Sequence, residues 1–256
     1  MSLNVLHGFP RFEHLGPRLD MIADEMRRQE VDLACLQEVP WTLRLGSAAD
    51  YLARETGMNY LYLRANGNRW AILFEEGAAI LSRYPLRDVT FQELRPRAAL
   101  FEHRVLLRAT AVTPQGEVTL YVTHLTHGDP AVNRAQFAAL MAYIDQTSAG
   151  PSIVAGDLNA TESVQQTAAA GWLDSYRFAQ PDDPGHTCCI EDLSARSDRT
   201  LTKRIDYLYL AAGTEEVCVV ESRRILDQPA RLGEGWLWAS DHVGVLTTLS
   251  LRSCAE

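Results

Sequence analysis

The chain has 256 residues, of which 46% are hydrophobic and 22% charged, a balance typical of a folded globular protein rather than a disordered or repetitive one. No apolar run reaches the ~20 residues that span a bilayer, and no basic flank precedes an apolar stretch at the start, so we predict neither export nor integral membrane association. The net charge of −9 argues against a tight binder of duplex nucleic acid, because Lys and Arg supply most of the affinity for phosphate.

The first half of the chain alternates helix and strand patterns. Within residues 11–30, apolar residues recur at spacings of four, three and four, which predicts one face of a helix. These residues are Leu15, Leu19, Ile22 and Met26. Pro85 ends the last strand pattern of this half. After the first helix, the predicted elements are a strand at 31–36, a helix at 50–56, and strands at 60–63 and 77–86.

Strands dominate the second half. Residues 103–112 and 117–125 flank the turn Pro114-Gln115-Gly116, which predicts a hairpin. Residues 178–203 are polar and punctuated by Pro and Gly, and we interpret them as a long surface loop. The other predicted elements are a helix at 131–144 and strands at 151–159, 204–211, 216–225 and 242–251. With no internal repeat and no linker, this order predicts a single α/β domain over residues 1–256 with packed sheets.

The chain has five cysteines, an odd number with no CxxC spacing. This pattern favours reduced thiols over a disulfide framework or a zinc site, and it predicts a cytoplasmic protein. Cys35 and Cys218 lie in apolar runs, where we expect them to fill the core.

Polar residues stand at the ends of several apolar runs, while the defining motifs of nucleotide-binding folds, serine hydrolases and zinc proteases are absent. Each such residue has a simple explanation alone: a carboxylate at a strand end is often only solvated, and a histidine is often a core residue. Together they are informative, because strand ends at one edge of a sheet converge on one cleft. In chain order they are Asn4, Glu38, His124, Asp157, Asn159, Asp206, Asp241 and His242.

Such a set has a defined chemistry. Carboxylate and amide oxygens suit a hard cation such as Mg²⁺, with Mn²⁺ as a second candidate. Two histidines add a base and an acid that work near neutral pH. Hydrolysis of a phosphate ester needs these parts, namely a cation on the phosphoryl oxygens, a base for water, and an acid at the leaving oxygen.

Nine segments carry a resemblance to a known family, the endonuclease/exonuclease/phosphatase superfamily of metal-dependent phosphoesterases. They span nearly the whole chain in the expected order: NVLHG, LQEV, GAAILSRYPL, VTHL followed by NRAQ, IVAGDLNA, GHT, RIDYLYL and SDHVGV. The resemblance implies a four-layer α/β/β/α sandwich, in which two mixed sheets face each other and helices cover both outer faces.

The resemblance also implies roles for the strand-end residues. Glu38 would be the principal metal ligand, Asn4 would lie beside it, and Asp241 would complete the metal site. Asp157 and Asn159 resemble the GDxN pair that orients or deprotonates the attacking water and holds the phosphate.

The remaining roles implied by the resemblance concern the two histidines. His242 would act as base or transition-state stabiliser, with Asp206 holding its tautomer. His124 would act as general acid or oxyanion stabiliser across the phosphate. Arg134 is expected to be structural rather than catalytic.

The residues next to Glu38 and at His124 indicate a branch of the family. The apurinic endonucleases usually have Lys two residues after the metal-binding Glu and Tyr in place of His124, whereas Val39 and Pro40 follow Glu38 here. The chain is therefore more similar to the deoxyribonuclease and sphingomyelinase branch.

These features predict a Mg²⁺-dependent phosphodiesterase acting on a small or lipid-like phosphoester. A nuclease acting on DNA or RNA is the alternative within the class, and a non-catalytic binding module is the alternative from another class. No protein partner is inferable from the sequence.

Overall fold

The computed structural model describes residues 1–162, 171–197, 200–212 and 214–251. Its helices are α1 (Leu15–Arg28), α2 (Ala48–Thr56), α3 (Pro130–Thr147) and α4 (Ser175–Ala179). Its strands are β1 (Ser2–Asn4), β2 (Leu33–Thr42), β3 (Gly46–Ser47), β4 (Asn59–Asn68), β5 (Phe74–Ser82), β6 (Leu86–Ala99), β7 (Glu102–Thr113), β8 (Gly116–His124), β9 (Ser152–Asp157), β10 (Leu173–Asp174), β11 (Asp206–Ala212), β12 (Cys218–Ile225), β13 (Ala230–Leu232), β14 (Gly235–Leu237) and β15 (Gly244–Ser250).

Two large mixed sheets form the centre of the molecule. The seven-stranded sheet has the order β12-β15-β1-β2-β5-β4, with β3 paired to β2, and the six-stranded sheet has the order β10-β11-β9-β8-β7-β6. Each sheet contains one parallel pair beside antiparallel neighbours: β1 with β2 in the first, and β8 with β9 in the second. The carboxyl ends of these parallel strands are where the candidate site lies.

Three apolar clusters define the layers. Helices α1 and α2 cover the outer face of the first sheet, where Leu19, Ile22 and Met26 of α1 are buried against β1 and β2. Ile80 of the first sheet and Val122 of the second belong to the cluster between the sheets. Helix α3 covers the outer face of the second sheet through a third cluster of aromatic and aliphatic residues. The structure is therefore the four-layer α/β/β/α sandwich implied by the sequence.

The helix ends follow ordinary capping chemistry. The Asp129 side chain accepts hydrogen bonds from the backbone N–H groups of Ala131 and Val132, and Pro130 occupies the first turn of α3. Ser47 caps α2, and Gly57 ends that helix with a φ of 69°, a left-handed conformation that favours glycine. The helix predicted within residues 11–30 is confirmed, with its observed ends inside that range.

The sequence missed or misplaced several strands. Strand β2 runs to Thr42 rather than ending at residue 36, and β5 starts at Phe74 and ends at Ser82. Strand β6 was not predicted, since most of its side chains are exposed and several are charged. It lies at an edge of its sheet, where charged residues and proline are common because they discourage pairing with other chains.

The interpretation of residues 178–203 as a surface loop is only partly right. Thr187, Cys188 and Ile190 are buried, and Ile190 packs with Trp238 and Val243 in a small apolar cluster. This segment therefore folds back against the chain that leads into β15.

The prediction that the cysteines are reduced thiols is wrong for part of the set. Cys188 and Cys189 form a disulfide, and Cys218 is half-buried and disulfide-bonded rather than a core thiol. Cys35 is a buried free cysteine, as expected. The cytoplasmic location inferred from reduced thiols loses that support. No helix in the described part of the chain is long and apolar enough to cross a membrane.

Candidate active site

Strand register brings the candidate residues to one edge of the sandwich. Asn4 ends β1 and is opposite Gln37 of β2, directly before Glu38. In the second sheet, Asp157 pairs with His124 on one side and with Asp206 on the other. Asn4, His124, Asp157 and Asp206 thus lie at strand ends, and Glu38 lies within β2 next to the residue that pairs with Asn4.

Glu38 occupies a bulge in β2. The register with β5 shifts between Leu36 and Val39, and Glu38 has a φ of 53°, which is uncommon for a residue with a side chain. Its carboxylate accepts hydrogen bonds from Asn4 Nδ2 at 3.0 Å and from the His7 N–H at 3.3 Å. Burial opposes ionisation, but the nearby imidazoles and these hydrogen bonds outweigh it and lower the pKa of Glu38 to about 2.

Asp157 lies at the centre of the site. Its Oδ2 accepts a hydrogen bond from Asn4 Nδ2 at 3.2 Å, and its Oδ1 accepts one from the Asn159 N–H at 2.9 Å. Burial and the neighbouring Asp206 raise the pKa of Asp157 to about 7. Because Asn4 Nδ2 contacts both Glu38 and Asp157, one amide links a carboxylate from each sheet.

His242 and Asp206 form a buried pair. Nδ1 of His242 lies 2.8 Å from Asp206 Oδ2, and its Nε2 lies 3.7 Å from Asp157 Oδ2. Burial alone would lower the pKa of His242, but Asp206 and the other carboxylates around it raise it well above its usual value. Asp206 thereby fixes which nitrogen of the ring points towards Asp157.

His124 lies on the opposite side of Asp157. Its Nε2 is 3.0 Å from Asn159 Nδ2 and 3.4 Å from Asp157 Oδ2, while Nδ1 lies 4.0 Å from Glu38 Oε1. Since Asn159 Nδ2 donates to Nε2, the ring proton belongs on Nδ1, which has no hydrogen-bond partner among the described residues. Burial and Arg104 lower the pKa of His124 well below its usual value.

Asp241 enters the site from the chain before β15. Its backbone carbonyl accepts from the Ile190 N–H at 2.8 Å, which attaches this turn to the folded-back segment. Ser240 Oγ donates to the Asn4 carbonyl at 2.7 Å, and burial raises the pKa of Asp241. The turn that carries Asp241 is therefore tied to the end of β1.

Several positioning residues were not singled out from the sequence. The buried Arg18 donates to the carbonyls of Val5 and Ala239, and so joins the segment after Asn4 to the segment before Asp241. Thr187 Oγ1 accepts from the backbone N–H of Asp206 at 3.2 Å. Arg18 lies next to Leu19 in the predicted helix, and Thr187 lies in the GHT segment. In neither case does the sequence indicate which distant residue the side chain contacts.

Asn133 has a similar role beneath the second sheet. Its Nδ2 donates to the carbonyls of Thr126 and Leu158, at 2.9 Å and 2.8 Å, so one side chain joins the loops that follow His124 and Asp157. The neighbouring Arg134 is exposed. Asn133 belongs to the NRAQ segment, which is part of the family resemblance, so the sequence marked this position without indicating its role.

His127 also contacts one of the candidate site residues. Its Nδ1 lies 3.2 Å from Asn159 Oδ1. His7 also lies against Glu38, with its Nε2 3.5 Å from Glu38 Oε2, and Gly8 makes the following turn with a φ of 68°.

The donor atoms suit a divalent cation. Ligand atoms of Asp157, Asp206 and His242 lie within 4.8 Å of one another, and Asp206 Oδ1 is buried without a hydrogen-bond partner among the described residues. Glu38 adds a carboxylate that is 19% exposed, and Asn4 lies beside both Glu38 and Asp157. This oxygen-rich set fits Mg²⁺ or Mn²⁺ better than a softer metal.

Comparison with known proteins places the chain in a class. Residues 1–242 match the model of the Endonuclease/Exonuclease/phosphatase family, and the chain belongs to that family. Its name covers nucleases and phosphatases, which are hydrolases of phosphate esters. No curated protein matches the chain.

Solved structures agree on the fold. A mannosyl-6-phosphatase from Bacteroides thetaiotaomicron has a TM-score of 0.74 at 16% identity, with 97% of each chain covered. Truncated TDP2 from Caenorhabditis elegans has a TM-score of 0.72 at 18% identity, covering 98% of this chain and 96% of that one. A family member from Leptotrichia buccalis has a TM-score of 0.73 at 17% identity, with 97% of each chain covered.

Proposed function

We propose that the chain is a Mg²⁺-dependent phosphodiesterase whose catalytic domain spans residues 1–256. The observation that carries the proposal is the convergence of Glu38, Asp157, Asp206, His124 and His242 at one edge of two facing sheets. Supporting it is the family to which the chain belongs, whose name covers phosphoester hydrolases.

A cation at this site would be held by Glu38, Asn4 and Asp241, the ligands implied by the sequence. When bound, it would supply positive charge to the phosphoryl oxygens as the transition state forms. Glu38 is the ligand best suited to this task, because its carboxylate is ionised and partly open to solvent.

The remaining side chains would work directly on water and phosphate. Asp157 and His242 lie beside each other, and one of them takes the proton of the attacking water while Asp206 holds the imidazole. Asn159 would position the phosphate next to Asp157. His124, on the other side of Asp157 from His242, would act as general acid or oxyanion stabiliser at the leaving oxygen.

A small or lipid-like phosphoester is the proposed substrate class. The net charge of −9 opposes strong binding to duplex DNA, so a nuclease activity on DNA or RNA ranks second. One neighbour in fold is named as a mannosyl-6-phosphatase, which makes sugar phosphates worth including among candidate substrates.

A substrate panel tests the proposal. We would measure hydrolysis of bis(p-nitrophenyl) phosphate, sphingomyelin-like lipids, inositol phosphates, mannose 6-phosphate, nucleotides, DNA and RNA, each with Mg²⁺, with Mn²⁺ and with EDTA. We expect cleavage of phosphodiesters that EDTA abolishes and Mg²⁺ restores. Cleavage confined to monoesters, or equal activity in EDTA, would overturn the proposal. A complete lack of hydrolysis would favour a non-catalytic binding module.

A further inference from the structure

An apolar groove opens beside the candidate active site, between the edge strands of the two sheets. It has a volume of about 790 Å³ and is lined by β4, β6, β7 and the turn before β5. Strand β4 is an edge of the first sheet and β6 an edge of the second, so the groove is the open flank of the sandwich. Its volume lies within the range of ligand-binding pockets, about 300 to 1,000 Å³.

The groove adjoins a small cavity beside two of the candidate site residues. Ala65, His103 and Val105 line both the groove and this cavity of about 10 Å³, whose lining also includes Glu38 and His124. The groove and the candidate site are therefore direct neighbours, separated only by these side chains.

A row of aromatic rings makes a second connection. His7, which lies against Glu38, packs on Phe74 with ring centroids 5.2 Å apart. Phe9 stacks on the same Phe74 ring at 4.5 Å. Both phenylalanines line the groove, so only the His7 ring separates its apolar wall from Glu38, the candidate metal ligand.

The rim of the groove displays large apolar side chains to solvent. Phe101 is 84% exposed, and Ile72 and Phe91, which line the same groove, are also exposed. Trp70, which is 89% exposed, and Leu100 stand next to these residues in the chain. Exposed apolar side chains that line one groove are a common feature of binding sites. The backbone that presents Trp70 is fixed, since Asn68 Oδ1 accepts from the N–H groups of Trp70 and Ala71 and the Arg69 side chain is paired with Glu75.

From this geometry we infer that the groove binds a hydrocarbon chain esterified to the phosphate of the substrate, which makes the enzyme selective for amphiphilic phosphodiesters. This inference rests on the phosphodiesterase activity proposed above. The chain would lie against Phe9, Phe74, Phe91 and Phe101 while the phosphate sits in the cleft. Every methylene that leaves water contributes about 0.8 kcal/mol, equivalent to about a fourfold gain in affinity when burial is complete.

The test is a homologous series of diesters that differ in one chain. Methyl, butyl and hexyl p-nitrophenyl phosphate, each below its micellar concentration and with Mg²⁺, share the same leaving group. We expect kcat/KM to rise at least about tenfold from methyl to hexyl, less than full burial would give because the groove is open on one side. Equal values across the series would overturn the inference while leaving the phosphodiesterase proposal intact.

Substitutions in the groove test whether the dependence of kcat/KM on chain length arises there. Phe101→Ser and Phe91→Ser should each lower the hexyl-to-methyl ratio of kcat/KM by at least about threefold. Phe178→Ser is the matched control, because Phe178 is an exposed phenylalanine (60%) on α4 that does not line the groove, and it should leave the ratio unchanged. If all three variants gave the wild-type ratio, the chain would bind elsewhere and the groove assignment would be wrong.

Binding measured without turnover separates the two proposals. Titration calorimetry with hexylphosphonate and methylphosphonate should show tighter binding of the hexyl compound, with a negative heat-capacity change that Phe101→Ser reduces. If no diester were hydrolysed but this preference persisted, the groove would stand and the phosphodiesterase proposal would fail. If Phe101→Ser weakened only binding to sphingomyelin-like vesicles, the rim would be a membrane contact and the inference would be overturned.

Discussion

The two sheets contribute carboxylates of opposite character to one site. Glu38, from the first sheet, stands in a bulge, is 19% exposed, and has a pKa lowered to about 2. Asp157, from the second sheet, lies in a regular strand, is 2% exposed, and has a pKa raised to about 7. The difference follows from backbone geometry, because the bulge in β2 brings Glu38 to hydrogen-bond donors and imidazoles, whereas regular pairing in the second sheet keeps Asp157 buried between His124 and Asp206.

This contrast suggests a division of work. A carboxylate that is ionised and open on one side is suited to a cation, while carboxylates enclosed among histidines are suited to controlling protons. The predictions below test whether Glu38 holds the charge that acts on the phosphate while Asp157, Asp206 and the two histidines control proton transfer.

Glu38→Gln should have the largest effect. The change keeps the shape of the side chain but removes its charge, and a metal at a phosphoryl oxygen contributes several kcal/mol to the transition state. At about 1.4 kcal/mol per factor of ten, we expect kcat/KM for bis(p-nitrophenyl) phosphate to fall about 10³- to 10⁴-fold. Glu234→Gln, an exposed glutamate in the β13–β14 turn, is the control and should retain full activity. Wild-type activity in Glu38→Gln would refute the metal assignment.

His242→Gln should lower kcat by about 10²- to 10³-fold, within the range for loss of a general acid or base. A thermal unfolding curve would verify that the variant is folded. The Mg²⁺ concentration giving half-maximal activity should change much less than in Glu38→Gln. A large shift of that concentration would mean that His242 also affects cation binding, and the division of work between Glu38 and the proton-transfer residues would fail.

Asp206→Asn should lower kcat by about 10- to 100-fold, the usual cost of removing a residue that orients a catalytic one. If Asp206 acts only through its 2.8 Å contact with His242, adding Asp206→Asn to His242→Gln should cause little further loss. Fully additive losses in this double-mutant cycle would show that Asp206 acts on the substrate or metal independently.

His124→Ala should depend on the leaving group. An acid that donates to the leaving oxygen matters little for p-nitrophenolate, which departs readily as an anion, and much more for phenolate. We expect a loss of a few-fold with p-nitrophenyl diesters and of up to about 10²-fold with phenyl diesters. Equal losses on both substrates would instead assign His124 to stabilising charge on the phosphoryl oxygens.

The sequence predicted the strand-end residues because their positions depend on local pattern. An apolar run followed by a polar residue marks both Asp157 and His124, and the parallel pairing of β8 with β9 then places them opposite each other. The bulge at Glu38 was not predictable in this way, since it arises from a register shift between β2 and β5, and pairing register is set by partner strands far along the chain.

Residues that support the site were missed for a related reason. Arg18 resembles any polar residue on a helix until its carbonyl partners, Val5 and Ala239, are known, and one of them is 221 positions away. Strand β6 was missed because exposure on an edge removes the alternating apolar pattern. The same exposure lets Phe91 of β6 line the groove. The strand that could not be predicted from the sequence is therefore one that contributes to the proposed substrate selectivity.

Asn133→Ala tests whether a side chain outside the candidate site helps to hold the second-sheet residues His124 and Asp157 in place. It should have the smallest effect on catalysis. The substitution leaves the carbonyls of Thr126 and Leu158 without their buried donor, and each unsatisfied group of this kind costs about 1 to 3 kcal/mol. We expect a free energy of unfolding lower by that order, measured by urea denaturation, and a several-fold loss of kcat as the loops after His124 and Asp157 loosen. Arg134→Ala, at the exposed neighbouring position, should change neither quantity. A stability loss without any change in kcat would show that the two strands hold their catalytic residues in place by sheet pairing alone.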